Sequence, residues 1–449
     1  MKLAASSLES QVAFNESVYV SSLNEPARSG DGGMAADNIG MKSAAAGETL
    51  LVTICVVCCF VICKSSYDIV RKWRGKLDVY IIGSGPVGLT AAILAAQSNV
   101  ASKIVMYEER TRAQLMGRSH QIMLDGRSVS FMRKLGVDFD NLEGCWEKDR
   151  FYTRIGIFQD YLLSVLQQRS SPEIHVHLGT KFTPSIGNSI HGSSKQLAIL
   201  IAADGLRGST TSVLGLSDEF LVLPCKAYGA FSAFERSNQP QVPTPDTRVR
   251  KLKLDLSAFG SEYRLPDITK SSFHLKVFGT FRHRYMSLLC DKSESNLVRQ
   301  LRITSDPVIL RNIFQESFNN YRCKGESRMT DMEALSMRCS NRLTEIKLAY
   351  RKESVAYVED ENLIILVEGD AVRNLNQSLG FEVNLGLRGI ESLGKLFQYL
   401  ATSTSKSEIL KALSLKVKHT TRLNDDIIRT KILQELKQTK TTTANNVKK

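Results

Sequence analysis

The sequence predicts an α/β protein. Its core is a Rossmann-like parallel sheet, interrupted by an inserted, mostly antiparallel β domain. C-terminal helices close it, and one N-terminal membrane segment precedes it. Three observations predict this. The glycine turn Gly83-Ser84-Gly85-Pro86-Val87-Gly88 joins the apolar run Val79–Ile82 to the helix-forming stretch Leu89–Ala96. Two later apolar runs, Leu197–Ala202 and Leu363–Val367, each end in an Asp and a Gly. Between those runs, residues 220–350 switch to a strand-like alternation of apolar and polar side chains.

Residues 1–43 are short of apolar periodicity and read as disordered. Leu50–Cys63 carries no charge. Alone it makes about 21 Å of helix, so residues 44–67 are needed to approach the roughly 30 Å hydrocarbon core. Lys64, Arg71, Lys72, Arg74 and Lys76 follow it, while residues 1–49 hold three basic against six acidic side chains. This asymmetry predicts a single-pass anchor with the C-terminal part facing the cytosol. Cys58, Cys59 and Cys63 are candidates for acylation, with plain packing as the alternative.

Residues 77–215 read as alternating strand and helix and form the first part of the nucleotide-binding domain. A second strand-like run, Ile104–Tyr107, ends at Glu108. Strand, glycine turn, helix, strand and acid in this order make a dinucleotide-binding βαβ unit. Gly83 permits the turn, Gly85 lets a pyrophosphate reach the backbone, and Gly88 lets the helix lie close to the strand. Pro86 starts the helix, whose N-terminus faces the phosphate charge. Glu108 can accept from ribose hydroxyls. Phe158–Gln168 is an amphipathic helix, and Ile174–Leu178 is a strand. In the inserted domain, Ala227–Phe234, Phe273–Phe281 and Tyr285–Cys290 are strands, and Pro307–Tyr321 is a helix. Residues 351–400 return to the first domain. Residues 401–449 form a basic helix and tail, with eleven basic against four acidic side chains.

The run Ile199–Ala202 leads through Ala203 into Asp204-Gly205, and Leu363–Val367 leads through Glu368 into Gly369-Asp370. Gly380 and Asn384 follow. With the glycine turn, these resemble the three-part fingerprint of the class A flavoprotein monooxygenases, the p-hydroxybenzoate hydroxylase family. The resemblance implies FAD as cofactor in a GR2-type domain, NADPH or NADH as co-substrate, and Asp370 beside ribityl hydroxyls. Gly117-Arg118-Ser119 resembles the family segment where an arginine reaches the cofactor. Ile155–Gln159 resembles the MICAL-type monooxygenase segment whose glutamine, here Gln159, lies near the FAD phosphates. Thr280–Met286 is similar to a strand of the same subfamily. The likeness spans residues 77–435 and is weakest in the inserted domain. Val372-Arg373 and Asn376-Gln377 stand where the family carries Ala-His and prolines, and Gln377 is near the place of a MICAL-type tryptophan. Ser212 stands for an arginine, and Glu382 for a glycine expected close to the flavin.

The net charge of +13 lies largely in the tail and in the cluster after the apolar run. No aromatic-interleaved basic patch and no zinc spacing accompany it, which argues against nucleic acid and metal. Nine cysteines, four of them within Cys55–Cys63, do not form a disulfide framework, so a reducing compartment is expected. The resemblance therefore implies a membrane-anchored FAD-dependent monooxygenase acting on a small-molecule or lipid substrate. The alternatives are an FAD-binding scaffold or sensor without oxygenase activity, and a lipid monooxygenase resembling squalene epoxidase. No catalytic acid or base can be named; His283, Tyr285 and Arg373 are candidates by position only.

Overall fold

The computed structural model describes residues 53–64, 77–118, 120–193, 196–236, 250–254, 273–279, 283–291, 296–303, 307–322, 326–375, 380 and 382–430. The segment expected to be disordered, 1–43, lies outside them, as do Phe281, Gln377 and the tail beyond residue 430. Residues 53–64 form helix α1, and its Ile54, Val57, Phe60 and Val61 are all exposed. Among the described residues no helix is long and apolar enough to cross a membrane. The expected span of 44–67 is thus a twelve-residue helix within the described residues, and its two flanks lie outside them.

From residue 77 onward the chain forms one compact unit. It begins with β1 (Leu77–Ile82), α2 (Pro86–Gln97), β2 (Ala101–Glu108), α3 (Arg112–Met116), β3 (Gln121–Leu124) and α4 (Gly126–Lys134). There follow β4 (Cys145–Glu147), β5 (Arg150–Arg154), α5 (Ile155–Gln167), β6 (Glu173–Leu178), α6 (Pro184–Ser193), β7 (Ala198–Ala202) and α7 (Thr210–Val213). The second half opens with β8 (Phe220–Glu235), β9 (Arg250–Leu254), β10 (Phe273–Gly279) and β11 (His283–Asp291). Helices α8 (Asn296–Ile303), α9 (Pro307–Tyr321) and α10 (Asp331–Ser336) come next. The chain then runs through β12 (Arg338–Cys339), β13 (Thr344–Arg351), β14 (Val355–Val358), β15 (Leu363–Val367) and β16 (Arg373–Leu375). It finishes with α11 (Glu382–Ile390), α12 (Leu393–Thr402) and α13 (Lys406–Thr430).

Three sheets organise these elements. The first has the order β14-β15-β7-β1-β2-β6, parallel except for the edge strand β14. Its central strands β1, β7 and β15 are buried along their whole length, which is why they read as unbroken apolar runs. Helix α2 is apolar on nearly every side because it is covered on nearly every side: the sheet, α5, α11 and α12 all pack on it.

The second sheet is antiparallel, in the order β16-β13-β8-β11-β10-β9, with β12 also on β8. One face, with Tyr228, Ala230, Met286 and Leu288, is covered by α8, α9 and α10. The opposite face, with Ala227, Tyr285, Ile346 and Leu348, packs with Met123 and Tyr152 of a third, three-stranded sheet, β3-β5-β4. Sequence reading found no strands between 121 and 154. These are short and joined by local turns, so they carry little periodic signal. The seam between this small sheet and the long β8–β11 pair is the second feature that positions a site.

Candidate functional site

The site is built where the ends of β1, β7 and β15 meet the N-terminus of α2. Gly83 N–H donates to the Tyr107 carbonyl at 2.8 Å, and Ala203 N–H to the Ile82 carbonyl at 2.8 Å. Glu368 N–H in turn donates to the Ala202 carbonyl at 2.9 Å. The three strand ends, and the three motifs they carry, are therefore stitched into one edge.

The glycines divide the work. Gly83 has φ +98°, and a Cβ there would lie 2.5 Å from the Ala203 carbonyl oxygen. A Cβ on Gly88 would lie 2.0 Å from the Gly83 carbonyl oxygen. Both are demanded by the protein's own packing. Gly85 is different: a Cβ on it would meet nothing within 4 Å. The residue opens onto empty space at the start of α2. That helix has no side-chain cap and no acidic residue in its first turn. The N–H groups of Val87 and Gly88 have no intrahelical acceptor there. Space, unsatisfied donors and the positive end of the helix dipole together make an anion cradle.

A hydrogen-bonded chain runs along the rim. Arg118 Nη1 donates to Gln159 Oε1 at 2.9 Å, and Gln159 Nε2 donates to the Ser84 carbonyl at 2.9 Å. Ser84 donates from both its N–H (2.8 Å) and its hydroxyl (3.0 Å) to Glu108 Oε2. The other Glu108 oxygen accepts from Arg110 N–H at 2.9 Å. Glu108, expected to face ribose hydroxyls, is buried and tied on both oxygens; Oε2 accepts twice, and Oε1 keeps one lone pair to spare. Gly156 in the first turn of α5 makes this chain possible, because a Cβ there would lie 2.5 Å from the Met116 carbonyl oxygen.

Asp370 lies on the loop that packs against α2. Its side chain is reached by solvent, yet protein surrounds it on most sides. That enclosure pushes its carboxyl above the usual range, and the charge of Arg118 opposes the rise. Gly369 packs against Val87 of α2, so the Gly369-Asp370 loop is held directly on the cradle helix.

Other expected site residues make contacts within the protein. The Asp204 carboxylate turns back on its own loop and accepts from Thr210 N–H (3.0 Å) and Thr210 Oγ1 (2.6 Å). It also closes over Gly208, while Gly205 remains open. Asn384 uses its amide to tie α11 to β3: Oδ1 accepts from Asp125 N–H at 3.0 Å, and Nδ2 donates to the Met123 carbonyl at 2.7 Å. The Gly380 carbonyl accepts from Met123 N–H at 2.5 Å. Arg373 lies buried behind the loop and donates to Asn424 and the Leu385 carbonyl. Glu382 does not stand in a loop. It opens helix α11, and its charge, after burial, helps hold the Tyr285 phenol well above its usual range.

Sequence reasoning missed His120, Gln121 and Arg154 in the seam. Burial, then the charges of Arg118 and Arg338, hold the His120 imidazole below its usual value. Arg154 Nη1 lies 3.4 Å from His283 Nε2. The one available signal was charge in short strands otherwise made of aromatic and apolar residues. Among the described residues no cluster of side chains is arranged to hold a metal.

No protein-family model matches the chain, and no curated protein matches it. Several solved structures are similar in fold. One is a tetracycline destructase, with a TM-score of 0.45 and 11% identity over 81% of this chain and 94% of that one. Another is 2-methyl-3-hydroxypyridine-5-carboxylic acid oxygenase in its tetrameric form, with a TM-score of 0.45 and 13% identity over 78% and 87%. A third is a p-nitrophenol 4-monooxygenase from Pseudomonas putida, with a TM-score of 0.42 and 12% identity over 81% and 92%.

Proposed function

We propose that this chain is an FAD-dependent monooxygenase that takes electrons from a reduced nicotinamide and oxidises a small-molecule or lipid substrate. The observation that carries the reading is the open side of Gly85 at the uncapped start of α2, with the Gly369-Asp370 loop packed on Val87 of the same helix. The donor set fits the cofactor. The first turn of α2 and the Arg118 guanidinium suit a pyrophosphate. The spare lone pair of Glu108 Oε1 suits a ribose hydroxyl, and Asp370 suits a ribityl chain.

Bound there, FAD would supply the redox chemistry and the activation of oxygen, while the protein supplies position and exclusion of water. This chain's part is then limited to a few acts. Asp370 accepts hydrogen bonds, Arg118 balances phosphate charge, and the apolar seam of Met123, Phe231 and Tyr285 keeps water from the reacting centre.

We further propose that residues 44–67 hold the protein at a membrane with the enzymatic part facing the cytosol. The exposed apolar side chains of α1 and the basic cluster after it support this. Protease added to sealed microsomes should digest residues 77–449; their protection would reverse the orientation.

The test of the enzymatic reading is the visible spectrum of the purified protein, followed by substrate-free oxidation of NADPH and NADH. A flavin spectrum lost in Gly85→Ala, at unchanged thermal stability, is the expected result. A colourless wild-type protein, or a variant with full FAD occupancy, would sink the assignment.

A further inference from the structure

We propose that Cys58, Cys59 and Cys63 are modification sites whose thiols take long-chain acyl groups as thioesters, fastening the basic end of α1 to the bilayer. This goes beyond the membrane reading and rests on it for the orientation of the helix. The cysteines of α1 share one face. Cys55, Cys59 and Cys63 follow one another at four-residue steps, and Cys58 stands three residues after Cys55. At 3.6 residues per turn all four fit within about 140° of the circumference. Val57, Phe60 and Val61 occupy the opposite side.

The thiols are accessible, and geometry removes their other uses. All four are free and exposed. The other cysteines in described elements, Cys145, Cys225, Cys290 and Cys339, are buried or half-buried. Core packing does not account for the four in α1, where every residue is exposed, Phe60 by 70% and Ile62 by 62%. A disulfide within the helix is out of reach. Cβ atoms one turn apart are separated by about 5–6 Å, whereas a disulfide holds them at about 3.5–4.5 Å. Among the described residues no group of side chains is arranged to hold a metal.

Depth and charge select three of the four. Cys63 adjoins Lys64, where the basic cluster of Lys64, Arg71, Lys72, Arg74 and Lys76 begins. Such a cluster is drawn to the anionic face of a membrane. With that end at the interface, Cys59 and Cys58 lie about 6 and 7.5 Å deeper, and Cys55 about 12 Å. A long-chain acyl thioester keeps its polar head at the interface and its chain in the hydrocarbon. The three shallow thiols meet that head, and Cys55 lies below it. Acylation also answers a shortfall. The uncharged run Leu50–Cys63 makes about 21 Å of helix, against a hydrocarbon core of roughly 30 Å. Each attached chain adds buried methylene groups, and stable anchoring takes more than one such signal. In the transfer, the cysteine Sγ bonds to the acyl carbonyl carbon as the donor's own C–S bond breaks. The thiol proton ends on the departing donor thiol, and nothing is oxidised or reduced.

The experiment feeds an alkynyl palmitate to a eukaryotic host expressing the full chain. Label is read on the purified protein before and after neutral hydroxylamine, which cleaves thioesters. Exchange of the thioesters for mass tags counts them, and flotation with membranes is read separately. The wild-type chain should carry hydroxylamine-sensitive label and more than one tag. The triple variant Cys58→Ser, Cys59→Ser, Cys63→Ser should lose nearly all label, and Cys55→Ser should keep most of it. Serine is close in size to cysteine and all four positions are exposed, so the thermal stability of both variants should match the wild type. The tag count on the wild-type chain tests the proposal without any variant. An unlabelled wild type, label that survives hydroxylamine, or label unchanged in the triple variant would overturn the proposal. Flotation tells its failure from that of the anchor. An unlabelled chain that still floats leaves the membrane reading in place, and one that stays in the soluble fraction refutes both.

Discussion

Two buried ionic clusters, one in the antiparallel domain and one behind the Gly369-Asp370 loop, both set Glu carboxylates against buried cations and differ in their balance. In the antiparallel domain, Arg236 and Arg284 face Glu326 and Glu333. Arg236 donates to Glu333 (3.0 Å), Glu326 (3.4 Å) and Ser327 (2.8 Å). Arg284 donates to Glu326 (3.0 Å) and to the Gly279 carbonyl (3.0 Å). Behind the Gly369-Asp370 loop, Glu368 alone faces two cations, Lys416 of α13 and Arg373. Burial lowers the affinity of both cations for their protons, and Glu368 opposes the effect. The first cluster pairs every charge and acts as a brace between β8, β11 and the segment before α10. The second carries an excess cation at the root of the Gly369-Asp370 loop. Similar burial therefore produces a structural clamp in one place and a positively biased support in the other.

Five experiments, from the largest expected effect to the smallest, test this contrast and the site beside it. The largest effect is expected from Glu368→Gln, which strands two buried cations; it should cost about 3–5 kcal/mol in chemical denaturation. Glu326→Gln should cost somewhat less, about 2–4 kcal/mol, because Arg236 keeps Glu333 and Arg284 keeps a carbonyl. If the second variant proved the more damaging, the balance argument would fail. Lys416→Met should change stability by no more than about 1 kcal/mol, since it leaves one cation opposite one anion.

The pH dependence of that last pair of proteins gives a finer test. The folded pKa of Lys416 lies below its ordinary 10.5, so the unfolded chain holds a proton that the folded chain releases first. Stability carried by this group therefore rises with pH from the lowered folded value up to 10.5. Below that window the cost of the buried charge is constant. The wild-type protein should gain on Lys416→Met as the solution is made alkaline, and parallel stability curves would show that Lys416 is not the strained group. The smallest effect on stability belongs to Gly85→Ala, within about 0.5 kcal/mol for a Cβ in open space. The same variant should lose flavin, which separates a cofactor glycine from a packing glycine such as Gly88.

The central strands and the glycine turn were legible in the sequence. Leu363–Val367 and Pro307–Tyr321 were expected with the very bounds they have, because an unbroken apolar run or a helical period is local information. Glu382 shows the limit of such reading. By motif it belonged beside a flavin in a loop, yet it begins α11, and whether a short polar stretch starts a helix depends on what packs over it. Asp204 and Asn384 show another limit. Their residue types suited a ligand; in the structure Asp204 accepts from Thr210 and Asn384 bridges Asp125 and Met123, contacts that residue type alone does not foretell.

By itself the sequence determined the order of strands, turn and helix around Gly83–Gly88, since each follows from side chains within a few positions of one another. Only the tertiary structure decided which charges would be partnered. Arg236 finds Glu326 across ninety residues, while Gln121 and Arg154, thirty-three residues apart, are left with donors facing a seam. Hydrophobic periodicity is written locally. Electrostatic satisfaction is a property of which surfaces meet, and it exists only once they have met.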